Sequence, residues 1–146
     1  MKKIPRIEEL MTPFNHTIQA SKSVKQAKSY MYQHDISHLP VIEDGEFVGV
    51  VTDQDIKLAQ AVVDADHFDE KHRVGELCLS EPYVIPSTAR ADKILSEMGQ
   101  KGLDCALIMK NDKLVGLFTA TDACRFFLKF LVSQLGSDDV DKEGGA

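Results

Sequence analysis

The chain has 146 residues, a formal charge of −6, and 43% hydrophobic against 27% charged residues. That length suits one domain or two small coupled lobes, and it allows about 70% of the unfolded surface to be buried, so no covalent staples are needed. No apolar run approaches the roughly 20 residues that cross a bilayer, and no basic patch with interleaved aromatics marks a nucleic-acid surface, so neither membrane nor nucleic acid is an expected partner.

The first residues, MKKIPRIEELM, lack the apolar core of a secretion signal. Cys78, Cys105 and Cys124 are scattered, form no CxxC pair and fit no zinc spacing. Reduced thiols and a cytoplasmic location are therefore expected. A short helix is predicted over Arg6–Met11, then an extended segment at His16–Ile18. The next helix runs from about Ser23 to His34, with Val24, Ala27 and Met31 on one face and Ser21 where an N-cap belongs. Two strands, Leu39–Glu43 and Phe47–Val51, flank Asp44-Gly45, a favoured tight-turn pair. A closing helix follows over about Asp53–Asp64. The stretch DADHFDEKHR reads as an exposed charged linker. Its Asp64, Asp66, His67, Asp69 and His72 have no known ligand spacing, so no metal site is expected.

The same order then returns. Val74–Cys78 predicts a short helix, Tyr83–Ile85 an extended segment, and Ala89–Lys101 a helix carrying Ala91, Ile94 and Met98 on one face, with Thr88 as its N-cap. Ala106–Met109 and Leu114–Phe118 flank Asn111-Asp112, and Thr121–Val132 closes the unit. A gapless shift of 67 positions lays GVVTDQDI, from Gly49, on GLFTATDA, from Gly116, so that Thr52 meets Thr119 and Asp55 meets Asp122. Two copies are too few for a solenoid; two half-domains packed face to face are the alternative. The domains read as repeat 1 over 4–65, a linker over 66–73, repeat 2 over 74–132, and an acidic tail over 134–146. The tail's GSDDVDKEGGA is Gly- and Asp-rich and is expected to be disordered. DACRFFLKFLVSQL holds Phe126, Phe127, Phe130 and Leu131 within two turns. They exceed one helical stripe, so core packing and a partner surface both stay open.

Each Thr-x-x-Asp sits where a strand hands over to a helix. Capping explains it: Thr and an acid three residues later form a capping box, and the acid suits the helix dipole. Binding is compatible with capping. A helix start offers N–H groups to an anion, a carboxylate can accept both hydroxyls of a ribose, and a Thr hydroxyl can donate to a phosphate.

DISHLPVIEDGEFVGVVTDQDI resembles the hairpin-and-helix signature of cystathionine-β-synthase (CBS) domains. MTPFNHTIQASKSV resembles their opening, and LDCALIMKNDKLVGLFTATDA a more diverged second copy. The resemblance covers about residues 5–132. It implies an α/β (α+β) fold in which two tandem β-α-β-β-α repeats pack as a pseudo-two-fold module with clefts between the copies. It further implies an adenine nucleotide or other adenosyl ligand. Asp55 or Asp122 would hold the ribose, with Thr52 or Thr119 near the phosphates. Thr17 and Ile18, or Val84 and Ile85, would line the base pocket together with His38, Leu39 and Pro40, or Cys105 and Ala106. Members of the family often carry a basic residue between the Thr and the Asp; Gln54 and Thr121 stand there instead. Lys57 and Arg125 follow on the helices as substitutes. Copy two also lacks His38 and Pro40, so the cleft of copy one is favoured. Asp53 favours one or two phosphates, or a Mg2+-bound polyphosphate, over a bare triphosphate.

The expected function is thus a stand-alone sensory module, without an obligatory cofactor, that binds AMP, ADP, ATP or S-adenosylmethionine. It would act as a homodimer and signal to an unlinked effector protein. A nucleotide-independent scaffold or dimerising adaptor is the alternative. An enzyme is not expected: no catalytic triad, Gly-rich phosphate loop or metal motif is present.

Overall fold

The computed structural model describes residues 3–62, 68–78 and 81–136. In chain order the elements are β1 (Thr12–Pro13), β2 (Ile18–Gln19), α1 (Val24–His34), β3 (His38–Glu43), β4 (Glu46–Thr52), α2 (Asp53–Val62), α3 (Phe68–Lys71), β5 (Tyr83–Pro86), α4 (Ala91–Lys101), β6 (Cys105–Lys110), β7 (Lys113–Thr119) and α5 (Ala120–Leu135). Short 3₁₀ turns stand at Ile7–Glu9 and Val74–Leu77. The fold is mixed α+β with two tandem repeats, each a sheet with helices, as expected.

Two compact units divide the chain, and they are not the two sequence repeats. One is His16–Pro82; the other joins Met1–Asn15 to Tyr83–Ala146. In the first unit, β2 runs parallel to β3 and β3 antiparallel to β4, in the order β2-β3-β4. Ile18, Leu39, Val41 and Val51 from the sheet pack with Val24, Ala27 and Met31 of α1 and Ile56 of α2. Burying each of these Ile, Leu, Val and Met side chains contributes about 1.5–3 kcal/mol. The hairpin turn puts Asp44 at φ 52° and Gly45 at φ 80°, the paired positive angles of a two-residue hairpin loop that Asp-Gly accommodates.

The second unit repeats the arrangement with, among the described residues, one more strand, in the order β1-β7-β6-β5. Ile85, Ala106, Ile108 and Phe118 pack with Ile94 and Met98 of α4. The irregularity between Val41 and Ile42 recurs between Ile108 and Met109, at the equivalent place.

The 3₁₀ turns explain the division. Ile7 is fully buried in the core of the unit built from repeat 2, and Val74 in the core built from repeat 1. Backbone bonds fix both. Ile7 N–H donates to Ala89 O at 2.7 Å and Ala91 N–H to Pro5 O at 2.9 Å, while Val74 N–H donates to Lys22 O at 2.9 Å and Val24 N–H to His72 O at 3.0 Å. Each repeat's opening segment therefore completes the other repeat's core.

Several local expectations are corrected. The cap of α1 is Ser23, whose hydroxyl accepts from Gln26 N–H at 3.1 Å, rather than Ser21. α4 is preceded by Arg90, without a side-chain cap bond, rather than by Thr88. The first helix shrinks to Ile7–Glu9. The linker is not wholly exposed: Phe68 on α3 is 4% exposed and belongs to the first core. α5 continues through Leu135, so Gln134 and Leu135 are helical; the rest of the acidic tail, from Ser137, lies outside the described residues, as do Asp64, Asp66 and His67.

Candidate functional site

In the first unit, parallel pairing sets the start of β2 beside the middle of β3, and the antiparallel β4 ends beside the start of β3. Ile18 pairs with Val41, and His38 pairs with Thr52. Thr17, His38, Thr52 and Asp55 are thereby gathered at one end of one sheet, all half-buried. Ile18, Leu39 and Pro40 come to the same end but are buried. Their backbone groups, more than their side chains, are what they can present there. In the second unit Cys105 pairs with Thr119, and Tyr83 and Val84 with Ala106 and Leu107. Val84 is exposed at 43%, while Ile85 and Ala106 are core residues.

The capping boxes are real. Thr52 N–H donates to Asp55 Oδ2 at 3.0 Å, and Asp55 N–H donates to Thr52 Oγ1 at 3.0 Å. The same pair of bonds joins Thr119 and Asp122, at 2.9 and 3.2 Å. One further amide at each helix start is taken by the chain itself, as Asp53 N–H donates to Ser37 O and Ala120 N–H to Asp104 O, both at 3.0 Å. Helix starts suit anions because their first N–H groups lack partners. Here most of those groups are satisfied internally, which weakens any grip on a phosphate. Lys57, the substitute cation on α2, pairs with Asp53 at 3.0 Å across an exposed turn.

Beyond the boxes the two sites differ. Asp122 also accepts through Oδ1 from the Thr12 hydroxyl at 3.1 Å, and through Oδ2 from the Thr119 hydroxyl at 3.0 Å. Among the described residues, Asp55 accepts only from Thr52 N–H. Thr12 was not foreseen as a site residue. It reaches Asp122 because β1 pairs with β7, a strand that the 67-residue repeat does not reveal.

A thiol lies near each carboxylate. Cys105 is pushed up to about 12, chiefly by burial and then by Asp122 and Asp104. Cys78 is raised by burial, with smaller contributions from Asp55 and Glu43. Both stay protonated at neutral pH and are poor nucleophiles. Cys78 packs against Gly49 of β4, which brings it within range of Asp55. It too was not foreseen, because it arrives from the other repeat's opening segment.

Comparison with known proteins decides the family. The model of the CBS domain matches residues 7–62 and again 74–129. The chain belongs to the CBS domain family. Its relatives include hypoxic response protein 1 of Mycobacterium tuberculosis, 25% identical over 114 residues, covering 77% of this chain and 78% of that one. Among solved structures, an uncharacterized conserved protein from Pyrococcus horikoshii is 26% identical with a TM-score of 0.68, covering 86% of this chain and 93% of that one. The CBS domain pair of protein MJ0100, solved in complex with 5-methylthioadenosine and S-adenosyl-L-methionine, is 20% identical with a TM-score of 0.67, covering 86% and 97%. Inosine-5'-monophosphate dehydrogenase of Thermoplasma acidophilum matches over 84% of this chain but only 24% of its own length, through its CBS domains alone. CBS pairs are typically regulatory modules. Among the described residues, no helix is long and apolar enough to cross a membrane, and no cluster of three or more metal-ligating side chains occurs.

Proposed function

We propose that this CBS pair is a sensory module for an adenosine-containing ligand, AMP, ADP, ATP or S-adenosylmethionine, bound at the end of the first unit's sheet where Thr17, His38, Thr52 and Asp55 gather. Asp55 holds the ribose hydroxyls, the Thr52 hydroxyl points to a phosphate or its equivalent, and Thr17, Ile18, His38, Leu39 and Pro40 surround the base. The observation that carries this reading is the Asp55 carboxylate, which accepts one hydrogen bond among the described residues and so keeps room for a diol. The ligands of the MJ0100 CBS pair support the same class. Ligand binding changes state populations only through differential affinity, and the output passes to a separate effector protein in the cytoplasm. Mg2+ accompanies the ligand only if it carries a polyphosphate.

Thermal shift and calorimetry with the four compounds test this. A ligand at 100 times its Kd adds about 2.7 kcal/mol to stability. Asp55→Ala removes the shift while leaving the ligand-free protein folded. If none of the four binds, the sensory reading fails.

A homodimer is part of the proposal. Phe127, Leu128, Phe130 and Leu135 of α5 are 58%, 60%, 48% and 61% exposed, and α5 buries no residue fully. Contiguous apolar surface of this kind favours association, and sedimentation at micromolar concentration reads it directly. The scaffold alternative is favoured by Gln54 and Thr121 in the basic slot and by the internally satisfied helix starts. A partner captured equally well with and without nucleotide would support that alternative.

A further inference from the structure

We propose that the chain takes one ligand rather than two, and that Thr12 is the residue that closes the second site. This rests on the reading of Asp55 and Asp122 as ribose-binding carboxylates. An ionised carboxylate has about four lone-pair positions. Asp122 has three of them occupied, by Thr119 N–H, the Thr119 hydroxyl and the Thr12 hydroxyl. A ribose diol asks for two. The Thr119 hydroxyl is likewise engaged, since its proton goes to Asp122, so it has none to give a phosphate.

Asp55 presents the opposite picture. One of its positions is used, Oδ1 receives no hydrogen bond among the described residues, and the Thr52 hydroxyl accepts from Asp55 N–H without a bond from its own proton there. The Thr12 bond to Asp122 has a structural origin. β1 adds to the edge of the second unit's sheet, with Thr12 opposite Leu117 and Pro13 opposite Gly116, and Phe14 N–H continues the pairing to Val115 O at 3.0 Å. That strand delivers the Thr12 hydroxyl to Asp122. In the sequence, the residue 67 positions beyond Thr12 is Leu79, which carries no hydroxyl and lies outside the described residues.

Calorimetry with AMP and with S-adenosylmethionine tests this on the full chain. The parent binds one equivalent, and Asp55→Ala binds none. Thr12→Val keeps the shape and removes the donor, and its stoichiometry rises to two. The double variant Thr12→Val/Asp55→Ala regains one equivalent, now at Asp122. Thr12→Ser keeps the hydroxyl and stays at one. A parent that binds two equivalents, or a double variant that stays silent while the parent binds, overturns the role of Thr12 and leaves the adenosine reading intact. Silence of the parent and of Thr12→Val toward both compounds overturns both.

Discussion

Gly49 lies in the middle of β4 with the Cys78 side chain against its α-carbon. A Cβ built there would come 2.8 Å from Cys78 Cβ and 2.9 Å from its Sγ. Cβ cannot swing away as the end of a long side chain can, so the backbone of one segment must move. Gly49→Ala is therefore expected to cost about 1–3 kcal/mol, the usual penalty of an overfilled core. Cys78→Gly in the same chain should recover most of it. Urea unfolding midpoints measure both, and a Gly49→Ala protein as stable as the parent would show that this contact is not tight. The same pair matters for the site, because the turn that carries Cys78 also sets the distance between its thiol and Asp55.

Among the elements, α3 is the one that the charge pattern hid. Its residues sit in a stretch dense with Asp, Glu, Lys and His, and such stretches are commonly solvated. Phe68 is the exception that anchors it in the core, and charges hold its outer face to α1: Lys28 to Asp69 at 2.8 Å and Lys25 to Glu70 at 3.4 Å. Gln60 of α2 also bonds Asp69. The Lys28 hydrogen bond, partly opposed by burial and aided by Gln60, holds the Asp69 carboxyl below its ordinary value of 3.8. A carboxylate depressed in the fold adds stability above the unfolded-state value, and that contribution is lost as pH falls through the folded-state value. The amide resonances of Phe68–Lys71 should then titrate with a midpoint below 3.8, and Lys28→Met should raise it; a parent midpoint at or above 3.8 would contradict the pairing. The periodic elements were legible in the sequence for a plain reason: Val24, Ala27 and Met31, like Ala91, Ile94 and Met98, repeat at helical spacing and are buried. Caps were less legible. Ser21 and Ser23 both suit an N-cap, and only Ser23 has Gln26 three residues on to close the box. At the site, Thr52 and Asp55 were readable from one octapeptide, whereas Thr12 and Cys78 come from segments whose docking depends on tertiary structure.

Across the whole molecule, duplication made the architecture readable and concealed the exchange within it. Ile7 and Val74 occupy equivalent positions in the two repeats, so nothing in their spacing tells which sheet either one covers. The structure gives Ile7 to the core of Ile85, Ile108 and Phe118, and Val74 to the core of Val41, Val51 and Ile56. Neither sheet keeps a complete core on its own repeat alone, which ties the two repeats into one folding problem although their sequences look separable. Large-to-small substitution tests this, because a core cavity loosens the unit that contains it. Ile7→Ala should cost about 2–5 kcal/mol and speed hydrogen exchange in β5, β6 and β7, more than 75 positions away in the chain. Val74→Ala should speed it in β2, β3 and β4. If repeats folded on their own opening segments, the two patterns would be reversed, with Ile7→Ala loosening β2–β4 and Val74→Ala loosening β5–β7. Peptide-resolved exchange by mass spectrometry separates the two outcomes, since the strands of each unit fall in different stretches of the chain.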